Sequence, residues 1–279
     1  MSAALPIGLI IIGDEILSGK REDKHLAQVI RILSARGLSL AWAEYVGDDP
    51  ARITAVLQRA LSSGHVVFSC GGIGATPDDH TRQCAAKALG VPLQLHPQAK
   101  VWITERMQDM AKEQGIALDP GSAENLRRLE MGVFPQGADV IPNPYNKIPG
   151  FVCASTHPTP VHSHAGVYFV PGFPVMAWPM IESVLDQRFA DAFTQGAYAE
   201  QSVIVLGALE STLAPLMQRI EAEHEGVKVF SLPSVDHPQW GKHIELGVKG
   251  RPESVKVAYA DLMASLQAMQ TPLGPELVR

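Results

Sequence analysis

The residues best equipped for chemistry lie in the stretch Ser69-Cys70-Gly71-Gly72-Ile73-Gly74-Ala75-Thr76-Pro77-Asp78-Asp79-His80-Thr81. Gly71, Gly72 and Gly74 let a backbone approach a ligand closely and take up left-handed conformations. The apolar run from His65 to Phe68 before them reads as a buried strand. Cys84, Ala85, Ala88 and Leu89 after them recur at helical spacing. A glycine turn that opens a helix offers free N–H groups and the positive end of the dipole, which suits phosphate. Gly71, Gly72, Gly74 and Thr76 are therefore candidate phosphate contacts. Asp78 and Asp79 are expected on the first helical turn beside that phosphate. Carboxylate next to phosphate calls for a cation between them, and a carboxylate site accepts magnesium, manganese or cobalt. Helix capping is a competing account: Thr76 as N-cap, Pro77 at the first helical position, and Asp79 closing a rough capping box. Capping leaves the three glycines unexplained.

Two more acidic turns follow apolar runs. Pro6 to Ile12 reads as a strand buried on both faces, as in a parallel sheet. It is followed by Gly13-Asp14-Glu15-Ile16-Leu17-Ser18-Gly19. Leu38 to Val46 reads as the second strand and is followed by Gly47-Asp48-Asp49-Pro50. Asp49 precedes Pro50 as a helix cap would, which leaves Asp48 as the freer carboxylate. The order strand-helix-strand-helix-strand-helix with short loops predicts an α/β doubly wound, mostly parallel sheet with right-handed crossovers. Ligands of such sheets bind beyond the C-terminal strand ends. Asp14, Asp48, Asp78 and Asp79 all fall on that edge, and this convergence raises them above three separate caps.

The positioning elements can be read in order. Leu26, Val29, Ile30 and Leu33 are expected to form the inner stripe of the helix ending at Gly37. Ile53, Val56, Leu57 and Leu61 make the next helix amphipathic. A long helix is expected from Pro97 to Gly115 with Val101, Met107 and Met110 inward. A shorter one, Glu124 to Met131, is capped by Ser122. The Ile141–Gly150 stretch holds three prolines and makes a stiff loop that could be structural or could hold a ligand. Phe151–Ser155 and Gly166–Val170 read as a hairpin, and His157, His162 and His164 between them as an exposed turn. Pro171-Gly172-Phe173-Pro174 is a tight turn before a helix. The sequence becomes short and polar around 192–200, so domains are expected at 1–190 and 200–279. The second reads as a small α+β domain of βαββα order with no carboxylate or histidine cluster, His237 and His243 being surface residues.

Composition narrows the class. A hydrophobic content of 46% over 279 residues supports a substantial core. A net charge of −6 argues against a general nucleic-acid binder, which relies on an excess of Lys and Arg. Cys70, Cys84 and Cys153 show no metal-like pairing and suggest buried thiols in a reducing cytoplasm. No signal peptide and no membrane span are read.

GDEILSG after strand one, GDD after strand two, GGIGATPDDHT after strand three, then PNPxxxxPG and PGFP, together resemble one family. It is the molybdopterin-binding-domain family of molybdenum cofactor biosynthesis, within it the branch of competence/damage-inducible protein A. The likeness covers roughly residues 5–185, and the tail resembles that branch's small second domain. The glycine stretch is also similar to the corresponding domain of eukaryotic FAD synthases. The resemblance implies functional aspartates at Asp48 and Asp79, either as metal ligands, with Asp78, or as a base. It implies phosphate cradling by Gly71, Gly72 and Gly74. Asp14, Glu15 and Ser18 of the first motif would line the same cleft, with Asn143 and Pro144 in the PNP loop and an acidic match at Asp23. Asp23-Lys24-His25 departs from the asparagine-containing segment common in that branch. Full-length members continue into a nicotinamide-nucleotide amidase domain, so that activity is not expected here. Relatives imply a homo-oligomer, and Trp178 and Trp240 would suit either an interface or the core. Three functions follow: metal-dependent hydrolysis of a nucleotide pyrophosphate such as ADP-ribose or FAD, binding or adenylylation of molybdopterin, and a non-catalytic ligand-binding module.

Overall fold

A computed structural model describes residues 5–157, 163–193 and 199–278. The chain forms two compact units, Met1–Phe193 and Thr194–Arg279. His162 lies outside the described residues, as do residues 194–198 of the expected boundary; His157 and His164 are exposed.

The first unit runs β1 (Ile7–Ile12), α1 (Asp14–Leu17), α2 (His25–Ser34), β2 (Leu40–Val46), α3 (Pro50–Ser62), β3 (Val66–Cys70), α4 (Thr81–Leu89) and β4 (Leu93–Leu95). It continues with α5 (Pro97–Gln114), α6 (Ala123–Glu130), β5 (Val133–Pro135), β6 (Asp139–Ile141), β7 (Gly150–Ala154), β8 (Gly166–Val170) and α7 (Pro174–Arg188). Six strands make one sheet in the order β2-β1-β3-β8-β7-β6. The first four are parallel, and β7 and β6 close the edge antiparallel. This is the mixed but mostly parallel sheet expected from the continuous apolar runs. Every residue of β1, β3 and β8 is buried, which only a sheet covered on both faces permits.

Each face carries its own core. Ile10, Val67 and Phe169 face α3, α4 and α5, where Phe134, Phe151 and Phe169 stack with ring centroids 4.7 and 4.2 Å apart. Leu9, Phe68 and Tyr168 face α2 and α7. Two inward assignments fail. Ile30 and Val101 are exposed, while Ile32 on α2 and Ile103 on α5 are buried in their place. A helix with apolar residues on adjacent rows can turn either row inward, and the neighbouring layer decides.

The second unit runs β9 (Ala199–Leu206), α8 (Glu210–Glu223), β10 (Lys228–His237), β11 (Gly241–Gly250), α9 (Pro252–Ala268) and β12 (Leu273–Val278). Its antiparallel sheet has the order β10-β11-β9-β12. The βαββα order thus holds with one strand more, β12, which is short on apolar residues because it is an edge. Val203, Val205, Leu246 and Val248 pack against Leu213, Ile220 and Leu262 of the two helices. His243 is buried rather than on the surface, with the rings of His237 and Trp240 against it at 5.2 and 5.5 Å.

Candidate functional site

At the C-terminal ends of β1, β2 and β3 the chain makes three turns, and these build one wall of a cleft of about 910 Å³. Their geometry follows from glycine. Gly71 has φ +109 and Gly72 φ +68, conformations that side-chain-bearing residues rarely adopt. A Cβ on Gly71 would stand 2.4 Å from the Ile12 carbonyl oxygen, and one on Gly72 would stand 2.2 Å from Thr81 Oγ1. The turn is locked from several sides. Gly71 N donates to Val170 O at 3.1 Å, Thr81 N donates to Gly72 O at 3.0 Å, and Thr81 Oγ1 donates to Gly71 O at 3.1 Å.

The helix after this turn starts at Thr81, with His80 as its N-cap. Asp78 and Asp79 therefore lie in the turn itself, and Thr76 does not cap the helix. Asp79 folds back instead: its Oδ2 accepts from Thr76 N at 2.8 Å and from Thr76 Oγ1 at 2.5 Å. The missing side chain of Gly74 makes room for that carboxylate, since a Cβ there would meet Asp79 Oδ2 at 2.6 Å. Behind the loop, buried Arg82 donates to the carbonyls of Gly74 and Glu130, tying the loop to the end of α6. Asp79 thus shapes the loop, although it also lines the cleft.

Asp49 caps α3 as expected, accepting from Arg52 N, and Asp48, the freer of the two, still holds one backbone donor. Asp14 N donates to Asp48 Oδ2 at 2.8 Å, and Asp48 N donates to Asp14 Oδ1 at 3.1 Å. The reciprocal pair staples the first turn to the second. Burial, opposed by the Asp14 N–H, raises the Asp48 carboxyl, and the charges of Asp14, Glu15 and Asp78 push the same way. Glu15, Asp48, Asp78, Asp79, Gly71, Gly72, Gly74, Thr76 and Asn143 all line the cleft. Asp14 and Ser18 do not: Asp14 turns toward Asp48, and Ser18 sits past α1 on the exposed side. Asp23 holds structure too, accepting from His25 N, Leu26 N and the Tyr45 hydroxyl. Burial and that carboxylate push Tyr45 up to about 12.

The expected metal set needs a correction. Among the described residues no three His, Cys, Asp or Glu side chains come together as a metal-holding group. The chemistry of the remaining donors still fits a cation. Asp48 carries the electrostatic load of three carboxylate neighbours, and the glycine loop faces the same space. Magnesium binds in this manner, through one or two carboxylates plus substrate phosphates. Buried Cys153, pushed up to about 12 by burial, offers no nucleophile.

The rest of the lining was read only in part from the sequence, which pointed to the Ile141–Gly150 loop and Asn143. It includes Met131, Ile148, Pro149, Phe173 and Met176, with Asn146, His25, Arg21 and Lys24. Buried Asn143 spends its amide inside its own loop, donating to Asn146 Oδ1 and Ile148 O and accepting from Tyr145 N. His25 Nε2 lies 3.0 Å from the Gly172 carbonyl, which fixes α2 to the turn that starts α7. The clustered prolines and glycines of both loops were the one available signal.

A sequence profile described as "Probable molybdopterin binding domain" matches residues 8–191. The chain belongs to the molybdopterin-binding-domain family. A protein of Thermoplasma volcanium is 29% identical to this family member over 81% of this chain and 79% of its own length. A CinA-like protein of Desulfovibrio desulfuricans is 32% identical over 62% of this chain, but the match spans 37% of that protein. Among solved structures, the protein CinA of Thermoplasma acidophilum, described as of unknown function, superposes with a TM-score of 0.52 at 26% identity. That superposition covers 67% of this chain and 99% of that one. Among the described residues of this molybdopterin-binding-domain protein, no helix is long and apolar enough to cross a membrane.

Proposed function

We propose that the cleft binds a nucleotide pyrophosphate of the ADP-ribose or FAD type and hydrolyses it with a divalent cation. One observation carries this reading. A locked glycine loop and a charge-loaded carboxylate, Asp48, line one cleft that also carries the apolar side chains Ile148, Phe173 and Met176. Its volume suits a ligand with a phosphate end and a flat ring end.

The loop N–H groups from Gly72 to Ala75 would take the phosphate oxygens, and a preorganised backbone holds developing charge without having to rearrange. Asp48, together with the phosphates of the ligand, would hold magnesium, manganese or cobalt. That cation, when bound, supplies neutralisation of phosphate charge and a more acidic water. Burial and like charges raise the Asp48 carboxyl, and a cation bound there would relieve that load. The Asp14 N–H occupies Oδ2, which leaves Oδ1 for the cation. Met131, Phe173 and Met176 would give the ring end an apolar lining.

Release of AMP tests the reading, with ADP-ribose or FAD supplied alongside each metal and then with chelator. Turnover that vanishes with chelator is expected. No turnover with any pairing removes the hydrolase reading. The family membership and the apolar lining favour a second reading on the same site, binding of molybdopterin, for which a pterin retained through purification is the sign.

A further inference from the structure

We infer that Asn146 is the specificity-determining residue of the cleft, donating from Nδ2 to an acceptor on the edge of the ligand's ring. This rests on the nucleotide-pyrophosphate reading and names what that ligand must present at its ring end.

The orientation of the Asn146 amide is fixed by backbone groups whose roles are unambiguous. Asn146 Oδ1 accepts from Ile148 N at 3.0 Å, and a peptide N–H can only donate. The same oxygen accepts from Asn143 Nδ2 at 2.8 Å. Asn143 is itself fixed, because its Nδ2 also donates to the Ile148 carbonyl at 3.0 Å and its Oδ1 accepts from Tyr145 N at 3.0 Å. A flip of either amide would set donor against donor. The Nδ2 of Asn146 is therefore the end turned toward Met176, whose thioether sulfur lies 3.4 Å away. A thioether is a weak acceptor, so the Asn146 amide keeps donor capacity for a ligand acceptor in the cleft.

The loop that presents this donor is held rigid. Lys147 sits at φ +62, a conformation a non-glycine residue keeps only when its surroundings impose it. Its Nζ bridges to Asp109 at 2.7 Å and to Glu105 at 3.7 Å on α5. Asn146 and Met176 both line the cleft, together with Ile148 and Phe173. A half-buried donor beside apolar side chains selects by hydrogen bonding. A ring that offers a carbonyl or ring nitrogen there is accepted, and one that offers only C–H leaves the donor unpaired. A site of this kind discriminates more strongly than an apolar pocket does.

The test uses the full chain with two probes, ADP-ribose and inorganic pyrophosphate, in calorimetry at about 0.15 M salt, where exposed charges are screened beyond about 8 Å. Asn146→Asp keeps both acceptor bonds of Oδ1 but turns the donor into an acceptor. Expected is a loss of about 10- to 100-fold for ADP-ribose, the size of one buried unmade hydrogen bond, with pyrophosphate unchanged within about twofold. Equal loss of both probes, or no loss of ADP-ribose, overturns the inference. Should the variant not fold, the Asn146 side-chain amide resonances of the unmodified protein decide. They must move with ADP-ribose and stay with pyrophosphate, and the reverse overturns the inference. If the unmodified protein binds neither probe, the nucleotide reading itself fails and this inference falls with it. Binding of both probes with an indifferent Asn146→Asp removes this inference alone.

Discussion

Replacing Gly71 by alanine should damage the first unit far more than the same change at Gly90, although both glycines have positive φ. Gly71 has φ +109 and a Cβ there lies 2.4 Å from the Ile12 carbonyl oxygen; Gly90 has φ +69 and nothing within 4 Å. The backbone term is common to the two sites and costs about 1–3 kcal/mol. The clash is peculiar to Gly71. Relief needs about an ångström from one of two adjacent buried strands, and overpacking of that kind costs about 1–3 kcal/mol more. The sum, about 2–6 kcal/mol, is a large share of the roughly 5–15 kcal/mol that holds a domain together. It corresponds to a melting shift of roughly 5–20 °C for a unit of this size. Thermal unfolding followed by tryptophan fluorescence reports mainly on the first unit, which holds Trp42, Trp102 and Trp178, and Trp240→Phe removes the signal of the second. Gly90→Ala should fall by only a few degrees. If Gly71→Ala melts with Gly90→Ala, the close approach of the two strand ends is not a tight constraint, and the account of the loop fails.

Other outcomes follow from the electrostatics. Asp48→Asn should lower turnover at least about 100-fold while raising stability at neutral pH, in turnover and melting assays on one preparation. The native carboxyl of Asp48 is raised, so the folded state binds the extra proton. Stability is then lost as pH rises from the unfolded pKa through the folded one, and the variant should be free of that loss. Asp261 has the opposite sign. Hydrogen bonds from Arg219 and His224 hold its carboxyl far below the usual range. The stabilisation it gives the second unit is present above about pH 4 and lost as pH falls. Acid unfolding of Asp261→Asn should show a shallower pH dependence than the unmodified chain, and parallel curves would exclude the pair as a source of acid sensitivity.

Much of this protein was legible in the order of its residues because the signals were local. Six- and five-residue apolar runs with no polar alternation, Ile7–Ile12 and Val66–Cys70, announce strands covered on both faces. Asp49-Pro50 and Ser122 announce helix starts, and both side chains accept the expected backbone N–H. Strand ends in a parallel sheet share one edge, so the convergence of Asp48, Asp78 and the glycine turn could be argued before any coordinate. What each carboxylate does there depended on partners distant in sequence. Asp14 and Asp48 are 34 residues apart and cross-bond. The Asp79 bond to Thr76 N, by contrast, is the local one that a capping box implies. The choice of Ile32 over Ile30 belonged to the facing layer. The Ile141–Gly150 loop was legible as a possible ligand loop, but its polar detail was not. Asn143 and Asn146 stand in one short motif, and only the hydrogen bonds of the folded loop decide which amide is spent within it and which is offered to a ligand.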